Sequence, residues 1–439
     1  MAFILADVLK NGAVTERLIR RTPFLYDPIR SFFIQMQGAG REERERLISG
    51  RLRSILAAAK RASHYRDLNL PEQLDAWPYL AKEQVRDAPQ DFVVPNLVPP
   101  SPAATGGTSG LPLRLKRSWR AVVAEQLALD LLAEKADVHF PRAKIAILRG
   151  DTVKDPNDAT PPFWVFRAGG RRMVLSSNHL RKQTAPAFVD AMRGFEPEIL
   201  STYPSTLEAF CGMIGEHGKP IPSLKLVIAS SEVLRPDVRQ RASAILGVPI
   251  FDHYGQAERV NLATSVEDRK FFFSAAYGVN ELIYSHADEE ADYYEIVGTS
   301  LWNTSQCLVR YRTGDLAALP KGSSDEDVRE ITLGLRPFQW VAGRASEYIE
   351  TPNGVHVIGI NQIPRGLDGV LQMQFVQRVK DRVEIRVVPQ YELPESLKDR
   401  IIRQARMKIP DSVALDLCVV EAIHRTPSGK APLVIRELP

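Results

Sequence analysis

Cysteine is scarce: Cys211, Cys307 and Cys418 are the only three in 439 residues. Widely spaced and odd in number, they can build neither a disulfide framework nor a CxxC metal site, so a reducing, cytoplasmic setting is expected. A dominant charge is missing as well. The 57 basic and 53 acidic side chains leave +4, too little to make nucleic acid the main partner. Long hydrophobic runs are absent too. The apolar stretch from Met1 to Leu9 has no preceding basic region and is broken by Lys10, while Arg20, Arg21, Asp27 and Arg30 interrupt the stretch from Arg17 to Gln37. Neither a targeting segment nor membrane insertion is expected. Internal repeats and low-complexity tracts are also lacking, as is the GxxxxGK[ST] phosphate loop.

What remains is an ordinary globular composition, 44% hydrophobic and 25% charged, on a chain long enough for two or three structural units. Apolar residues at three- to five-residue steps predict helices over residues 42–65 and 118–135. Short apolar runs at 145–148, 199–201, 224–229 and 249–251 alternate with helical patterns at 185–195 and 206–217, which indicates an α/β sheet. The text then turns β-rich, with strands expected at 281–284, 293–297 and 306–311. Strands at 374–379 and 382–388 and a helix at 396–408 follow. The predicted fold is therefore α/β, with a large N-terminal domain of mixed β-sheets and packed helices (1–343) and a small α+β C-terminal domain (344–439).

Five segments carry chemistry. Thr105-Gly106-Gly107-Thr108-Ser109-Gly110 crowds glycines and hydroxyls, so backbone amides can approach an anion closely while hydroxyls donate to phosphate oxygens. Taken alone, such a cluster is more often an ordinary turn. Tyr254-Gly255-Gln256-Ala257-Glu258 ends an apolar run with an aromatic that can lie against a base and a carboxylate that can meet magnesium, a hard cation. Arg310 to Asp315 closes a β-run on Gly-Asp, where a fixed carboxylate can accept two ribose hydroxyls. The fourth segment, Gly343-Arg344-Ala345-Ser346-Glu347, sits at the domain boundary. The fifth, His424 to Lys430, holds an ammonium on a Pro and Gly loop.

The order and spacing of these segments resemble the adenylate-forming superfamily of acyl-coenzyme A synthetases, peptide-synthetase adenylation domains and luciferases. The likeness is strongest to the phenylacetate-coenzyme A ligase branch, including relatives found with capsular polysaccharide genes. Pro112-Leu113-Arg114, Tyr203-Pro204-Ser205 and the Tyr254 to Arg259 turn carry that finer resemblance, which spans about Arg51 to Lys430. It implies that Thr105 to Gly110 hold the ATP phosphates and that Ser230, Ser231 and Glu232 lie along the adenine. Tyr254 and Gly255 are beside that base, Glu258 meets Mg2+, Asp315 takes the ribose, and Arg344 is close to the same nucleotide. Ser346 and Glu347 mark a hinge about which the C-terminal domain rotates, and Lys430 bridges carboxylate and phosphate during adenylation. A carboxylic acid and ATP would give an acyl adenylate and pyrophosphate, and the acyl group would pass to coenzyme A.

Three departures from the pattern stand out. Gly106 and Ala257 occupy positions where relatives carry Ser or Thr, and Ser346 replaces the hinge Asp. Residues 264–274, TSVEDRKFFFS, lack the Cys and His that relatives have there, so no zinc is expected. His179 and His253 are isolated and read as structural. His139, Arg149, Trp164 and Tyr203 are the candidates to line the acid pocket, with an aromatic or otherwise compact acid expected. The acceptor stays open between coenzyme A, an amine or hydroxyl, and a carrier-protein thiol, as does the oligomeric state. A non-catalytic nucleotide-binding protein of the same fold is the competing reading from another class.

Overall fold

The computed structural model describes residues 20–438 apart from 106–112, 150, 152, 155–157, 159, 216–219, 345–347, 354–355, 358–359, 361–362, 365–366, 368 and 427–430. Helices longer than ten residues and strands of three or more are numbered in chain order. The chain opens with α1 (Pro23–Gly38) and α2 (Arg41–Ala59), the antiparallel pair β1 (Ser101–Ala104) and β2 (Arg114–Arg117), and α3 (Trp119–Glu134). Alternation follows: β3 (Ile145–Arg149), β4 (Trp164–Arg167), β5 (Arg172–Ser176), α4 (Ala185–Phe195), β6 (Ile199–Thr202), α5 (Pro204–Ile214), β7 (Leu226–Ser230) and α6 (Pro236–Leu246). Then come β8 (Ile250–Gly255), β9 (Leu262–Ser265), β10 (Gly278–Ala287), β11 (Asp292–Ser300), β12 (Tyr311–Leu319) and β13 (Trp340–Arg344). The last stretch holds β14 (Val370–Val379), β15 (Arg382–Pro389), α7 (Glu395–Arg406), β16 (Ala414–Val419) and β17 (Val434–Arg436).

The chain divides into two compact units. The first is Met1–Ala143 with Phe166–Arg172 and Phe251–Val341; the second is Lys144–Val165 with Met173–Ile250 and Ala342–Pro439. In the first, α3 is apolar on almost every side and buries Val123, Ala124, Leu127 and Leu131 against Ile29 and Phe33 of α1 and against Trp302. The Ser118 side chain caps it, accepting from the Ala121 N–H while donating to the Trp302 carbonyl at 2.7 Å. Asp130, the acidic group this helix buries, is held by Arg21 and by the Tyr26 hydroxyl at 2.8 Å, as a buried charge must be. Beyond it β10, β11 and β12 form an antiparallel sheet.

In the second unit β3, β6 and β7 are parallel, with Ile145 opposite Ile199 and Ile199 opposite Leu226. All five residues of β7 are buried, as a parallel strand covered on both faces requires. Phe188 and Met192 of α4, Leu207 and Phe210 of α5, and Val238 and Ile245 of α6 share one core with these strands. The segment beyond Gly343 has its own core. Phe375, Val383, Ile385 and Val387 of its four-stranded sheet, ordered β16-β15-β14-β17, enclose Ile401 and Ala405 of α7. It joins the second unit by packing β14 on α5.

The architecture is the mixed α/β arrangement expected, with a small α+β C-terminal segment. One element differs. Residues 306–310 are not a strand; β12 begins at Tyr311 and runs through Asp315 to Leu319. The backbone of 305–310 instead bonds to the loops around Leu80, Phe92 and Val94, and Arg310 takes a left-handed φ of 51°. Asp315 therefore lies inside a strand, beside a register shift opposite Glu295 to Val297 and after Gly314 at φ 72°. Among the described residues no helix is long and apolar enough to cross a membrane.

Candidate functional site

The first unit brings Tyr254 and Asp315 together. Tyr254 sits near the end of β8, and its hydroxyl donates to Asp315 Oδ2 at 2.9 Å. Burial and the adjacent Asp315 carboxylate push the phenol well above its ordinary pKa, so it stays a donor. Bulges re-aim side chains. The irregularity at Gly314 turns Asp315 toward Tyr254, and its N–H bonds Thr313 Oγ1 at 3.1 Å. Gly255 lies against the His253 ring, which a Cβ there would meet at an ordinary contact distance of 3.4 Å.

Glu258 is buried, and its Oε1 accepts from the Tyr311 hydroxyl at 2.9 Å. Magnesium is usually held by one or two carboxylates plus substrate phosphates rather than by an all-protein cage. A single oriented carboxylate fits that mode, and among the described residues no group of three His, Cys, Asp or Glu could hold a metal. Thr105 closes the base of its loop. Its N–H bonds the Leu113 carbonyl at 3.1 Å and its Oγ1 accepts the Leu113 N–H at 2.9 Å. Gly106, Gly107, Thr108, Ser109 and Gly110 lie outside the described residues, as do Ser346, Glu347 and Lys430.

Several residues that support this turn left no mark in the sequence. Arg117, at the end of β2, donates Nε and Nη2 to the Ala257 carbonyl at 3.1 and 2.5 Å. Burial, with Arg259 nearby, lowers its guanidinium to about 10. Glu125 of α3 accepts from the Tyr277 hydroxyl at 2.5 Å and lies 3.8 Å from both His253 Nε2 and Arg259 Nε. Burial would raise the Glu125 carboxyl, but Arg259, His253, Tyr277 and Arg117 together hold it below the ordinary range. Arg259 adopts φ 55° and bonds the Ala121 carbonyl at 3.0 Å. The side chain of Ala257 packs against the cluster of Leu113, Leu115, Val260 and Tyr311, which suits a methyl better than a hydroxyl.

In the second unit the candidate residues gather at the carboxyl ends of β3, β6 and β7, where ligands of parallel α/β sheets bind. Arg149 ends β3, Tyr203 follows β6, and Ser230 ends β7. Arg149 Nη2 donates to Ser201 Oγ at 2.6 Å and Ser230 Oγ at 3.3 Å, with its guanidinium 5.8 Å from the Tyr203 ring centroid. Ser231 holds φ 72°, a left-handed backbone that a non-glycine residue adopts at a cost of about 1–3 kcal/mol, common at ligand sites. Glu232 joins two segments: Oε2 accepts the Ser205 N–H at the start of α5, and Oε1 accepts the Ala431 N–H, each at 2.9 Å.

The remaining candidates are dispersed. His139 is exposed in the turn ahead of β3, before the amino end of that strand. Trp164 begins β4 and packs edge-on to Phe188 with centroids 6.4 Å apart. Arg344 ends β13. His179 is buried, stacked on Phe163 at 5.1 Å and bonded to Ser176 Oγ at 2.7 Å, a satisfied core histidine.

With this geometry in view, known proteins supply a frame. Residues 349–437 match the CapK C-terminal domain. Protein CapK of Staphylococcus aureus is 18% identical over 373 residues, which cover 82% of this chain and 80% of CapK. The fold is similar to 2-hydroxyisobutyryl-CoA ligase in the postadenylation state. The complex with 2-HIB-AMP is 17% identical, with 90% of each chain covered and a TM-score of 0.61. The complex with R3-HIB-AMP gives 16% identity, the same coverage and the same score. The chain thus has the mixed α/β fold of that CoA ligase, with a small C-terminal α+β segment. In sequence it is similar to CapK, through the C-terminal domain match and at low identity along most of the chain.

Proposed function

We propose that this chain is an AMP-forming ligase: it converts a carboxylic acid and ATP into an acyl adenylate and pyrophosphate, then transfers the acyl group to coenzyme A. The observation that carries the reading is the Tyr254–Asp315 pair beside buried Glu258, a ring and a carboxylate joined across 61 residues of sequence. Tyr254 offers a flat face to a base, and Asp315, held by that phenol, accepts ribose hydroxyls with its remaining lone pairs. Residues 105–110 bind phosphates through backbone N–H groups and hydroxyls. Magnesium on Glu258, when bound, would offset phosphate charge.

An anionic acid must approach an anionic α-phosphate, so cationic groups have to stabilise the charge that builds as the bond forms. Lys430 is assigned that task. The Ala431 N–H, one residue on, is anchored to Glu232, which supports placing this segment at the reaction. Coenzyme A as acceptor is supported by the named activity of the 2-hydroxyisobutyryl-CoA ligase whose fold the chain shares.

The test is acid-dependent pyrophosphate release from ATP across a panel of aromatic, aliphatic, dicarboxylic and amino acids, followed by an acceptor screen with coenzyme A and amines. Lys430→Ala should cut adenylate formation by on the order of 10²–10³-fold while transfer from a supplied adenylate persists. ATP binding without pyrophosphate release from any acid would leave a nucleotide-binding protein in place of an enzyme.

A further inference from the structure

Glu258 is fixed through its backbone as well as through its side chain. The peptide plane that joins Ala257 to Glu258 carries the Ala257 carbonyl and the Glu258 Cα together, so whatever orients that carbonyl also orients the root of the carboxylate side chain. Arg117 bonds it twice. Its Nε and Nη2 belong to one planar guanidinium and both donate to the Ala257 oxygen, at 3.1 and 2.5 Å. On the other flank, Arg259 donates Nη1 to the Ala121 carbonyl at 3.0 Å. The Tyr311 hydroxyl takes Oε1 of the carboxylate itself, and a magnesium ion held mainly by phosphates and water needs only one carboxylate oxygen.

The place of Arg117 in the chain adds to this. It ends β2, the strand that leaves the phosphate segment: the Leu113 N–H, just ahead of β2, bonds Thr105 Oγ1 at 2.9 Å, and Arg114 pairs with Ala104 of β1. The same strand is held at its far end by Asn303, whose Oδ1 accepts the Ser118 N–H at 2.9 Å and whose Nδ2 donates to the Lys116 carbonyl at 3.0 Å. One short hairpin therefore closes on Thr105 at one end and grips the turn that carries Glu258 at the other.

We propose that Arg117 is a positioning residue for the nucleotide's metal: by clamping the Ala257 carbonyl to the end of β2 it holds Glu258 where Mg2+ on the ATP phosphates can be met, and so sets the Mg2+ dependence of nucleotide binding. This rests on the adenylating function above. Charge alone argues the reverse. A guanidinium near enough to Glu258 to feel its charge repels a divalent cation, so its removal would tighten Mg2+ binding if the clamp did nothing. The two effects have opposite signs.

The experiment measures ATP binding to the full chain by calorimetry, without any acid, in Mg2+ and in EDTA. Arg117→Met is expected to weaken binding in Mg2+ about 10-fold or more, the usual worth of a group that orients a metal ligand, and to leave binding in EDTA unchanged. Arg117→Lys, which keeps the charge without the fork, should fall between. Glu258→Gln should remove the difference between Mg2+ and EDTA, and adding Arg117→Met to it should cost nothing more, because the clamp acts through that carboxylate. Melting temperatures identify a variant that fails to fold, and Arg117→Lys then carries the same comparison. Tighter binding in Mg2+, equal weakening in Mg2+ and EDTA, or a full added cost in the double variant overturns the proposal and leaves adenylation standing. If the unaltered chain binds ATP equally in Mg2+ and EDTA, the metal role of Glu258 falls and this proposal with it. If no acid of any kind releases pyrophosphate, the adenylating function itself falls, a result distinct from the others.

Discussion

Tyr254 and Asp315 depend on one another. The phenol orients the carboxylate, and burial together with that carboxylate keeps the phenol protonated, so Tyr254 stays a donor across neutral pH. A hydrogen bond to a charged group is worth about 1.5–3 kcal/mol, and its loss would free Asp315 to rotate away from a ribose. Tyr254→Phe keeps the ring and removes the bond. It should raise the KM for ATP about 3–10-fold with the KM for acid unchanged, and Asp315→Ala should do more. An effect on acid alone would disprove the nucleotide assignment. Both residues were readable in the sequence because each stands in a short Gly-containing segment. Their bond was not, since it depends on the bulge at Gly314, and a bulge leaves no signature in residues 311–319 beyond one glycine.

At the scale of an element, the turn from Tyr254 to Arg259 is held from below by α3. Glu125, on that helix, bonds Tyr277 and faces His253 and Arg259. Its carboxyl is held below the ordinary value, so the folded state binds the proton less readily than the unfolded chain. The resulting stability is present above the unfolded pKa of about 4.3 and is lost as pH falls through the lower folded value. Glu125→Gln should cost about 1.5–3 kcal/mol at pH 7 and flatten the decline in stability below pH 5, measurable by urea unfolding across pH 3–7. An unchanged acid limb would show that another carboxylate governs it. The sequence announces α3 plainly, through its apolar positions. It does not announce Glu125 as a support, because one acidic residue in a helical pattern reads as a solvated face until Arg259 and Tyr277 are brought to it. Parallel strands β3, β6 and β7 were legible for the opposite reason: burial on both faces makes them continuous apolar runs. The run before Tyr311 misled because buried loop backbone around Cys307 to Val309 is just as apolar as a strand.

At the scale of the molecule, the C-terminal segment rests on α5 through contacts that rotation would break. Glu232 ties the Ser205 N–H to Ala431, Gln372 reaches the Ser205 carbonyl at 3.4 Å, and Gln390 reaches the Gly212 carbonyl at 3.5 Å. At their centre Gly212 has no room for a side chain, because a Cβ would come within 2.2 Å of Leu371 Cδ2 on β14. Leu371 is itself buried, so it cannot simply swing into solvent. These contacts hold the residue after Lys430 in place; under the proposed function adenylation needs Lys430 there, whereas transfer of a finished adenylate does not. Gly212→Leu exchanges glycine for a strong helix former, a gain of up to about 1 kcal/mol for α5, while wedging β14 away. Docking should therefore suffer without loss of the helix. Acyl-adenylate formation is expected to fall about tenfold or more, with transfer from a supplied adenylate to coenzyme A unchanged or faster, as the rotation in the proposed function requires of a segment that trades one arrangement for another. Equal losses in both half-reactions would mean that the substitution damages the fold, and no loss in either would mean that this docked arrangement is not the one that adenylates.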